Sequence, residues 1–374
     1  MKILVISEYF FPKESGAEKN VRLYLEDLLL RYNVTATVLT KKIPGRVQQN
    51  TQYVLNAGFF NFRFLNRFTI FFEYLVNSLV LLKYLRQNDT DIINTIGYNA
   101  FFLISVIAGK LTKTRVVLVM CTSDIYELKR NKYYHYLAVK FASRHCDYFF
   151  SKSIGKDPMQ IELSIPEEKF ETIPNPAYRA IIAPRREGVG KSGKLVIGYT
   201  GKLHKLKNTL ELIKMIEILD KNKYVLCIVG SGPLKKELIS QIEEKKLNSN
   251  VFLFEHTNDV TQYLEKFDIY IFPTCYEPAV SQAMMEAMLC QLPVIVKRSK
   301  NLELWFKDRI DCFMVDKCNY VSFASAVEIL GCNTEMRKSL GRCAKSTILE
   351  NHKIEKFTSK LMDRNYKLTC KNKK

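Results

Sequence analysis

The sequence predicts an α/β protein with two domains, each built on a parallel sheet with crossover helices. Short apolar runs alternate with amphipathic helical patterns along most of the chain, which is typical of βαβ units. At 374 residues, the chain is too long for one compact core. Proline and glycine interrupt the alternation at residues 174–194, which we interpret as a linker. We therefore predict domains at 1–178 and 179–350, followed by a C-terminal crossover helix and basic tail at 351–374.

The first half contains strand-like apolar runs separated by helical patterns. The clearest helix covers residues 17–30, where Val21, Leu25 and Leu28 fall on one face. The predicted strands of this half are 2–6, 34–39, 91–95, 115–120 and 146–150.

The second half repeats this alternation and ends in a helix. Residues 352–368 have an amphipathic helical pattern with no strand after it. The predicted strands of this half are 195–200, 224–229, 251–254, 268–272 and 294–296. A helix from 279 to 289 separates the last two strands.

The ten cysteines are scattered, without a CxxC pair or a histidine at ligand spacing. This pattern predicts neither a zinc site nor a disulfide framework, and it indicates a reducing, cytoplasmic compartment. No signal peptide is apparent, because Met1 and Lys2 lead directly into a strand. The apolar segment 68–82 contains Glu73 and Asn77 and is too short to cross a bilayer, so we expect no membrane span.

The net charge of +19 calls for an anionic partner or a solvated basic surface. Nucleic acid is not expected, since no zinc finger, RNP-like strand or base-reading basic helix is present. Segment 59–68 interleaves aromatic residues with arginines, and residues 351–374 carry eight Lys/Arg against two acids. Both features are typical of a protein that lies peripherally on an anionic membrane surface. A core helix with a solvated tail is the alternative.

Three loops at strand ends carry the candidate chemistry. The first, residues 9–18, contains Gly16 before a helix, and the second, residues 198–208, contains Lys202 and Lys207 before a helix. The third joins a buried strand to the helix that carries Glu286, with Glu277 in the loop. Ligands of open α/β sheets bind at such strand ends, and helix N-termini attract phosphate. Taken singly, each loop is also consistent with an ordinary turn.

The order of these motifs resembles a known family. The segments EYFFPKESGAEKNVRLYLEDLLL, IPNPAY, GYTGKLHKLKNTLELI, CIVGSGPLKKEL and YEPAVSQAMMEAMLCQLPVIV stand in the family's order over nearly the whole chain. They resemble the GT-B-fold retaining glycosyltransferases of family 4 (group 1). That resemblance implies two Rossmann-like domains facing each other across a cleft, with a nucleotide sugar as donor substrate and neither a cofactor nor a metal.

The resemblance also implies roles for individual residues. Lys202 and Lys207 would hold the donor diphosphate and stabilise the charge on the leaving group. Glu286 would bind the donor ribose, and Glu277 would lie beside the donor sugar. The backbone would approach the donor at four further positions: Gly16, Gly201, Val280 and Ser281. Asp124 would contact the sugar or the acceptor.

The sequence departs from the family pattern at several of these positions. Eight residues, not seven, separate the two glutamates, and Asn208 replaces the glycine after the family's lysine. Gln291 stands where a glycine precedes the proline, Ser15 replaces one glycine of a pair, and Ser123 stands near a family histidine.

Asp89-Thr90-Asp91 spells a metal-binding Asp-x-Asp motif of a different glycosyltransferase fold. It precedes a strand and so lies at the amino end of the sheet. We interpret it as a solvated turn.

The sequence therefore predicts a metal-independent retaining glycosyltransferase that acts on a glycan, a lipid-linked acceptor or a protein. Two alternatives stay open: a nucleotide-sugar epimerase of the same fold, and a non-catalytic nucleotide-sugar-binding relative. A dinucleotide dehydrogenase is disfavoured, because neither half has Gly-x-Gly-x-x-Gly after its first strand.

Overall fold

The computed structural model describes two compact units. The first unit contains residues 1–176 and 354–374, and the second contains residues 177–353. The described residues are 1–7, 16–41, 54–59, 67–97, 100–120, 129, 133–152, 158–177, 193–257, 259–275 and 280–370.

The first unit is a seven-stranded sheet in the order β3-β2-β1-β4-β5-β6-β7. Its described strand pairs are all parallel. The strands are β1 (Lys2–Ile6), β2 (Thr35–Lys41), β3 (Val54–Phe59), β4 (Ile92–Gly97), β5 (Arg115–Met120), β6 (Tyr148–Ser151) and β7 (Phe170–Thr172). The helices described between them are α1 (Gly16–Arg31), α2 (Arg67–Gln87), α3 (Ala100–Thr112), α4 (Tyr133–His145) and α5 (Pro158–Leu163).

The second unit is a six-stranded sheet in the order β10-β9-β8-β11-β12-β13, and its described strand pairs are also parallel. The strands are β8 (Leu195–Thr200), β9 (Tyr224–Val229), β10 (Val251–Phe254), β11 (Ile269–Phe272), β12 (Val294–Lys297) and β13 (Phe313–Val315). The helices are α6 (Leu210–Ile218), α7 (Lys235–Glu244), α8 (Thr261–Leu264), α9 (Gln282–Leu289), α10 (Lys300–Glu303), α11 (Tyr320–Cys332) and α12 (Thr334–Asn351).

Burial on both faces explains why the central strands are continuous apolar runs rather than alternating ones. In β5 and β11, nearly every residue is buried, since helices cover both faces of a parallel sheet. The predicted α/β class is confirmed, and the predicted strands match the central ones closely. Three edge strands, β3, β7 and β13, were missed by the sequence analysis.

The last helix, α13 (Ile354–Cys370), belongs to the first unit although it follows the second in the chain. Its apolar face is buried, and Phe357 packs edge-on against Tyr24 of α1 at 5.9 Å between ring centroids. The amphipathic pattern of this segment is therefore used within the domain. Its apolar side is not available to a membrane.

Asp89 and Asp91 lie at the amino end of β4, as the sequence analysis predicted. The Asp91 carboxylate accepts a hydrogen bond from the Lys2 backbone N–H at 2.7 Å, and Asp89 forms an exposed ion pair with the Lys2 ammonium at 3.3 Å. The two aspartates lie in a turn that anchors β1 beside β4. Among the described helices, none is long and apolar enough to cross a membrane.

Gln291 occupies a left-handed backbone conformation, with φ of +59°, in the turn between α9 and β12. We expect Gln291→Gly to stabilise the protein by about 0.5–1 kcal/mol, because relief of a left-handed conformation is worth about 1–2 kcal/mol and the added glycine flexibility cancels part of it. Urea unfolding measures the change. Glu243→Gly, on the exposed face of helix α7, is the matched control and should destabilise by about 1 kcal/mol. Equal destabilisation by both variants would contradict the prediction.

Candidate functional site

The loop after β8 is fixed by the loop after β9. Leu203 is buried, its N–H donates to the Ser231 carbonyl, and its own carbonyl accepts from the Leu234 N–H, both at 3.0 Å. The backbones approach so closely that a Cβ on Gly230 would lie 1.9 Å from the Gly201 carbonyl oxygen, and one on Gly232 would lie 2.3 Å from that of Leu203. Only glycine fits at both positions, so this loop has a defined shape without any ligand.

The two predicted diphosphate lysines both lie in this loop, in different environments. Lys202 is exposed, and its carbonyl accepts a hydrogen bond from the Tyr199 hydroxyl at 3.0 Å. Lys207 ends a short 3₁₀ turn and is half-buried, with its ammonium 5.3 Å from the ring centroid of Phe272. Phe272 is the last residue of β11, the strand paired with β8. Lys207 therefore reaches over to the carboxyl end of the neighbouring strand.

Helix α9 begins beyond that same strand end. Val280 is buried, and Ser281 is the N-cap residue, but its side chain makes no capping hydrogen bond. The first-turn N–H groups of α9 are thus not capped by the Ser281 side chain, and such groups attract anions. The sequence predicts that this helix starts at residue 279, whereas in the structure it starts at Gln282.

Glu286 is 7% exposed and lies in the second turn of α9. Its charge acts on Tyr270: burial raises the pKa of the Tyr270 hydroxyl most, and the nearby Glu286 carboxylate raises that pKa further. The Tyr270 hydroxyl is held at the end of β8 by Thr200, with 3.0 Å to its Oγ1 and 3.2 Å to its carbonyl oxygen. Tyr270 and Thr200 thus form a buried polar cluster at the end of β8, and the buried Glu286 is near enough for its charge to act on Tyr270.

Asn208 makes a further contact at this sheet edge that the sequence did not predict. Asn208, in the left-handed conformation at φ +52°, donates its side-chain amide toward the sulfurs of Cys275 and Cys318 at 3.5 and 3.7 Å. Those two cysteines form a disulfide. The scattered cysteines predict no disulfide framework, and this single pair was not anticipated, because parallel strands bring loops 43 residues apart to one sheet edge.

Arg298 holds the loop that carries Cys318. Its guanidinium pairs with Asp316 at 2.7 Å, with Asp308 at 2.6 Å and with Glu303 at 3.1 Å. These hydrogen bonds, chiefly the one to Asp316, raise the pKa of Arg298, so the cation is permanent. The loop after β13 is therefore tied to the segment that follows β12.

The roles of all the predicted site residues stay predictions. Glu277 and Asp124 lie outside the described residues, and Gly16 is the first residue of α1.

The first unit has its own buried polar group at the end of β6, where the Lys152 ammonium lies 3.2 Å from Asn175 Oδ1. That same oxygen accepts from the Asn20 amide at 2.8 Å, which fixes α1 to the segment after β7.

The site of the second unit combines features that suit a phosphorylated ligand. Two lysine side chains and the start of α9 supply positive charge and N–H donors at one sheet edge, while Glu286 supplies an acceptor for hydroxyl groups. These are the groups needed to hold a diphosphate and a sugar hydroxyl pair.

The described architecture is that of the GT-B glycosyltransferases. Anabaena HepE, solved with UDP and glucose, matches 97% of this chain and 99% of its own, with a TM-score of 0.76 and 16% identity. Sucrose-phosphate synthase from Thermosynechococcus elongatus matches 99% of both chains with a TM-score of 0.82 and 15% identity. At such identities the likeness shows the fold alone.

Two protein families match parts of this chain. The family described as "Glycosyl transferases group 1" matches residues 183–347, and the family described as "Glycosyl transferase 4-like" matches residues 47–153. These two matches support the assignment of the chain as a group 1 glycosyltransferase, an enzyme that transfers sugars. The predicted resemblance to group 1 glycosyltransferases is confirmed, whereas the retaining mechanism stays a prediction. The non-catalytic alternative is not supported.

A curated relative extends over most of the chain. It is the N-acetylgalactosamine-N,N'-diacetylbacillosaminyl-diphospho-undecaprenol 4-alpha-N-acetylgalactosaminyltransferase of Campylobacter jejuni, 25% identical over 88% of this chain and 91% of the relative. A shorter match, to the putative glycosyltransferase EpsF of Bacillus subtilis, is 24% identical over 35% of this chain and spans only 37% of that relative.

Proposed function

We propose that this glycosyltransferase uses a nucleoside-diphosphate sugar and transfers the sugar to an acceptor hydroxyl with retention, without a metal. The observation that carries the proposal is the Lys207 ammonium over Phe272, at the strand end from which α9 begins. A diphosphate there meets Lys207 and the helix start together. HepE, solved with UDP and glucose, supports a nucleotide-sugar donor by its similar fold.

In this proposal the protein's own cations replace a divalent ion. As the bond from the sugar to the diphosphate breaks, negative charge grows on the leaving oxygen, and Lys207 and Lys202 stabilise that charge. The α9 amides near Val280 and Ser281 hold the phosphates, and Glu286 accepts from the ribose hydroxyls. By resemblance, Glu277 is assigned to the transferred sugar, and Asp124 is assigned to the sugar or the acceptor.

A donor panel with product analysis tests the proposal. The protein is incubated with UDP-, GDP- and ADP-sugars, with and without EDTA, and release of nucleoside diphosphate is measured. NMR of the product reports the anomeric configuration. Loss of activity in EDTA would refute metal independence, and inversion would refute retention. An altered free nucleotide sugar would instead favour the epimerase alternative.

We further propose a lipid-linked acceptor at the cytoplasmic face of a membrane. The C. jejuni relative acts on a diphospho-undecaprenol-linked glycan, and the chain's charge of +19 favours anionic lipid. Segment 59–68, which the sequence predicts to contact a membrane, belongs partly to regular secondary structure, since β3 ends at Phe59 and α2 begins at Arg67. Helix α4 offers a better-defined surface.

Helix α4 buries one face in the first unit and exposes an aromatic and aliphatic stripe on the other. Tyr133, Leu137 and Phe141 follow one another at four-residue spacing and are each at least 43% exposed. Arg144 is exposed beside this stripe, and on the adjacent helix α3 Lys110 is also exposed. Exposed aromatic residues bordered by cations are typical of a helix that lies in a membrane interface.

We expect the double substitution Leu137→Glu/Phe141→Glu to weaken binding to phosphatidylglycerol vesicles by at least about tenfold, because two apolar side chains lose burial worth about 1.5–3 kcal/mol each. Co-sedimentation measures this, with phosphatidylcholine vesicles as the uncharged comparison. Ile218→Glu, at an exposed apolar position of the second unit, is the control and should leave binding unchanged. Equal binding by all variants, or no preference for anionic lipid, would remove the membrane proposal.

A further inference from the structure

The Cys275–Cys318 disulfide joins two loops at the carboxyl edge of the second sheet. Cys275 follows β11 by three residues and precedes Glu277 by two. Cys318 follows β13 by three residues, and its sulfur lies 3.3 Å from the Pro273 carbonyl oxygen. The crosslink therefore fixes the first part of the loop that carries Glu277.

This disulfide also contacts the loop of the diphosphate lysines. Asn208 directly follows Lys207, and its amide points at both sulfurs. The backbone of Asn208 is in the left-handed conformation, which turns the chain from the 3₁₀ turn into α6. The two sulfurs thus contact the Lys207 loop through Asn208 and join the residues that follow β11 to those that follow β13, so a change in their covalent state acts on the Lys207 loop.

The accessibility of this pair sets it apart from the buried cysteines. Cys275 is exposed and Cys318 is half-buried. By contrast, burial raises the pKa of the thiols of Cys146, Cys227 and Cys290 to about 12, which leaves them without reactive thiolate. Exposed disulfides are the ones that exchange with external thiols.

We infer that Cys275 and Cys318 form a reversible redox site that sets the affinity of the donor pocket. A thiolate of a small dithiol attacks Cys275 Sγ, the Cys275–Cys318 bond breaks, and Cys318 leaves as a thiolate that takes up a proton. The second thiol of the reductant then resolves the mixed disulfide. The reductant is oxidised to its own disulfide, and both cysteines are released as thiols.

The oxidised form binds the donor more tightly, because the crosslink holds Cys275 and Cys318 against Asn208, directly after Lys207, before the ligand arrives. Reduction is expected to raise the dissociation constant of the nucleoside diphosphate by about five- to 150-fold, the usual range of coupling between two sites. Linkage is reciprocal, so a saturating nucleotide makes the disulfide harder to reduce by the same factor. This inference rests on the proposed nucleotide-sugar function.

The test measures binding in both redox states. Binding of UDP, GDP and ADP to the full chain is measured by calorimetry after diamide oxidation and after reduction by dithiothreitol, and mass spectrometry of alkylated peptides confirms the state of the pair. The wild-type protein should bind the nucleoside diphosphate more weakly after reduction. Cys275→Ser and Cys318→Ser should bind like the reduced protein and ignore dithiothreitol, whereas Cys332→Ser, at an exposed free cysteine, should behave as wild type.

The outcomes separate the two proposals. Equal affinity in both redox states, or a pair that stays reduced after diamide, overturns the redox inference and leaves the donor proposal standing. No binding of any nucleoside diphosphate in either state overturns both. A second readout is a midpoint for reduction in dithiothreitol buffers that UDP, or the tightest of the three nucleotides, shifts toward more reducing conditions.

Discussion

Lys207→Ala is expected to lower kcat by about 10²–10³-fold, the usual loss when one preorganised charge that stabilises a transition state is removed. Lys207 is half-buried and lies over Phe272, so its ammonium is held at one place rather than sampling solvent. Its charge matters most when the diphosphate leaves, and kcat should therefore fall more than KM rises. Single-turnover measurements with the active donor separate chemistry from product release.

The neighbouring lysines supply matched comparisons. Lys202→Ala should lower kcat by a smaller factor, because Lys202 is exposed and loses part of its field to solvent. Lys205→Ala removes an exposed charge from the same 3₁₀ turn and should leave kcat within about twofold of wild type, as expected for a solvated surface charge. Equal losses in Lys205→Ala and Lys207→Ala would mean that only the net charge of the loop matters, and the assigned role of Lys207 would be wrong.

The positions of the lysines could be predicted because they depend on local order in the chain. Lys202 and Lys207 follow a strand and precede a helix, and in a parallel sheet that order alone places them at the carboxyl edge. The same holds for Glu286, which lies on a helix that follows β11. Motif order along the chain was sufficient for all three.

The partners of those residues could not be predicted, since they depend on which strands are neighbours. Tyr270 reaches Thr200, 70 residues earlier, because β11 pairs with β8. Asn208 meets Cys318, 110 residues later, for a similar reason. Nothing in the spacing of these residues states the strand order β8-β11-β12-β13, and so neither the polar cluster nor the disulfide was expected.

The departures from the family glycines show a different limit. Asn208 and Gln291 both stand where the family has glycine, and both keep a left-handed backbone. Asparagine tolerates this conformation well, whereas glutamine does so at a cost. Both positions are therefore left-handed turns without the glycine that favours this conformation. Sequence alone could not separate a lost turn from a strained one.

Glu286→Ala is expected to raise the dissociation constant of the nucleoside diphosphate by about ten- to hundredfold. A carboxylate that accepts from a ribose diol contributes hydrogen bonds to a charged group worth about 1.5–3 kcal/mol, and each 1.4 kcal/mol changes affinity tenfold. The effect should fall on binding rather than on kcat, because the ribose does not change during transfer. Calorimetry of the nucleotide, beside the corresponding deoxyribose nucleotide, measures it.

The deoxyribose comparison makes the assignment specific. If Glu286 binds the ribose hydroxyls, wild-type protein should discriminate against the deoxy form, and Glu286→Ala should lose most of that discrimination. Glu286→Gln keeps the size of the side chain and an acceptor oxygen but removes the charge, so its affinity should lie between the two. Because Glu286 is 7% exposed beside Tyr270, thermal unfolding of each variant must show an intact fold. A folded Glu286→Ala variant that still discriminates as wild type does would place the ribose elsewhere on this sheet edge.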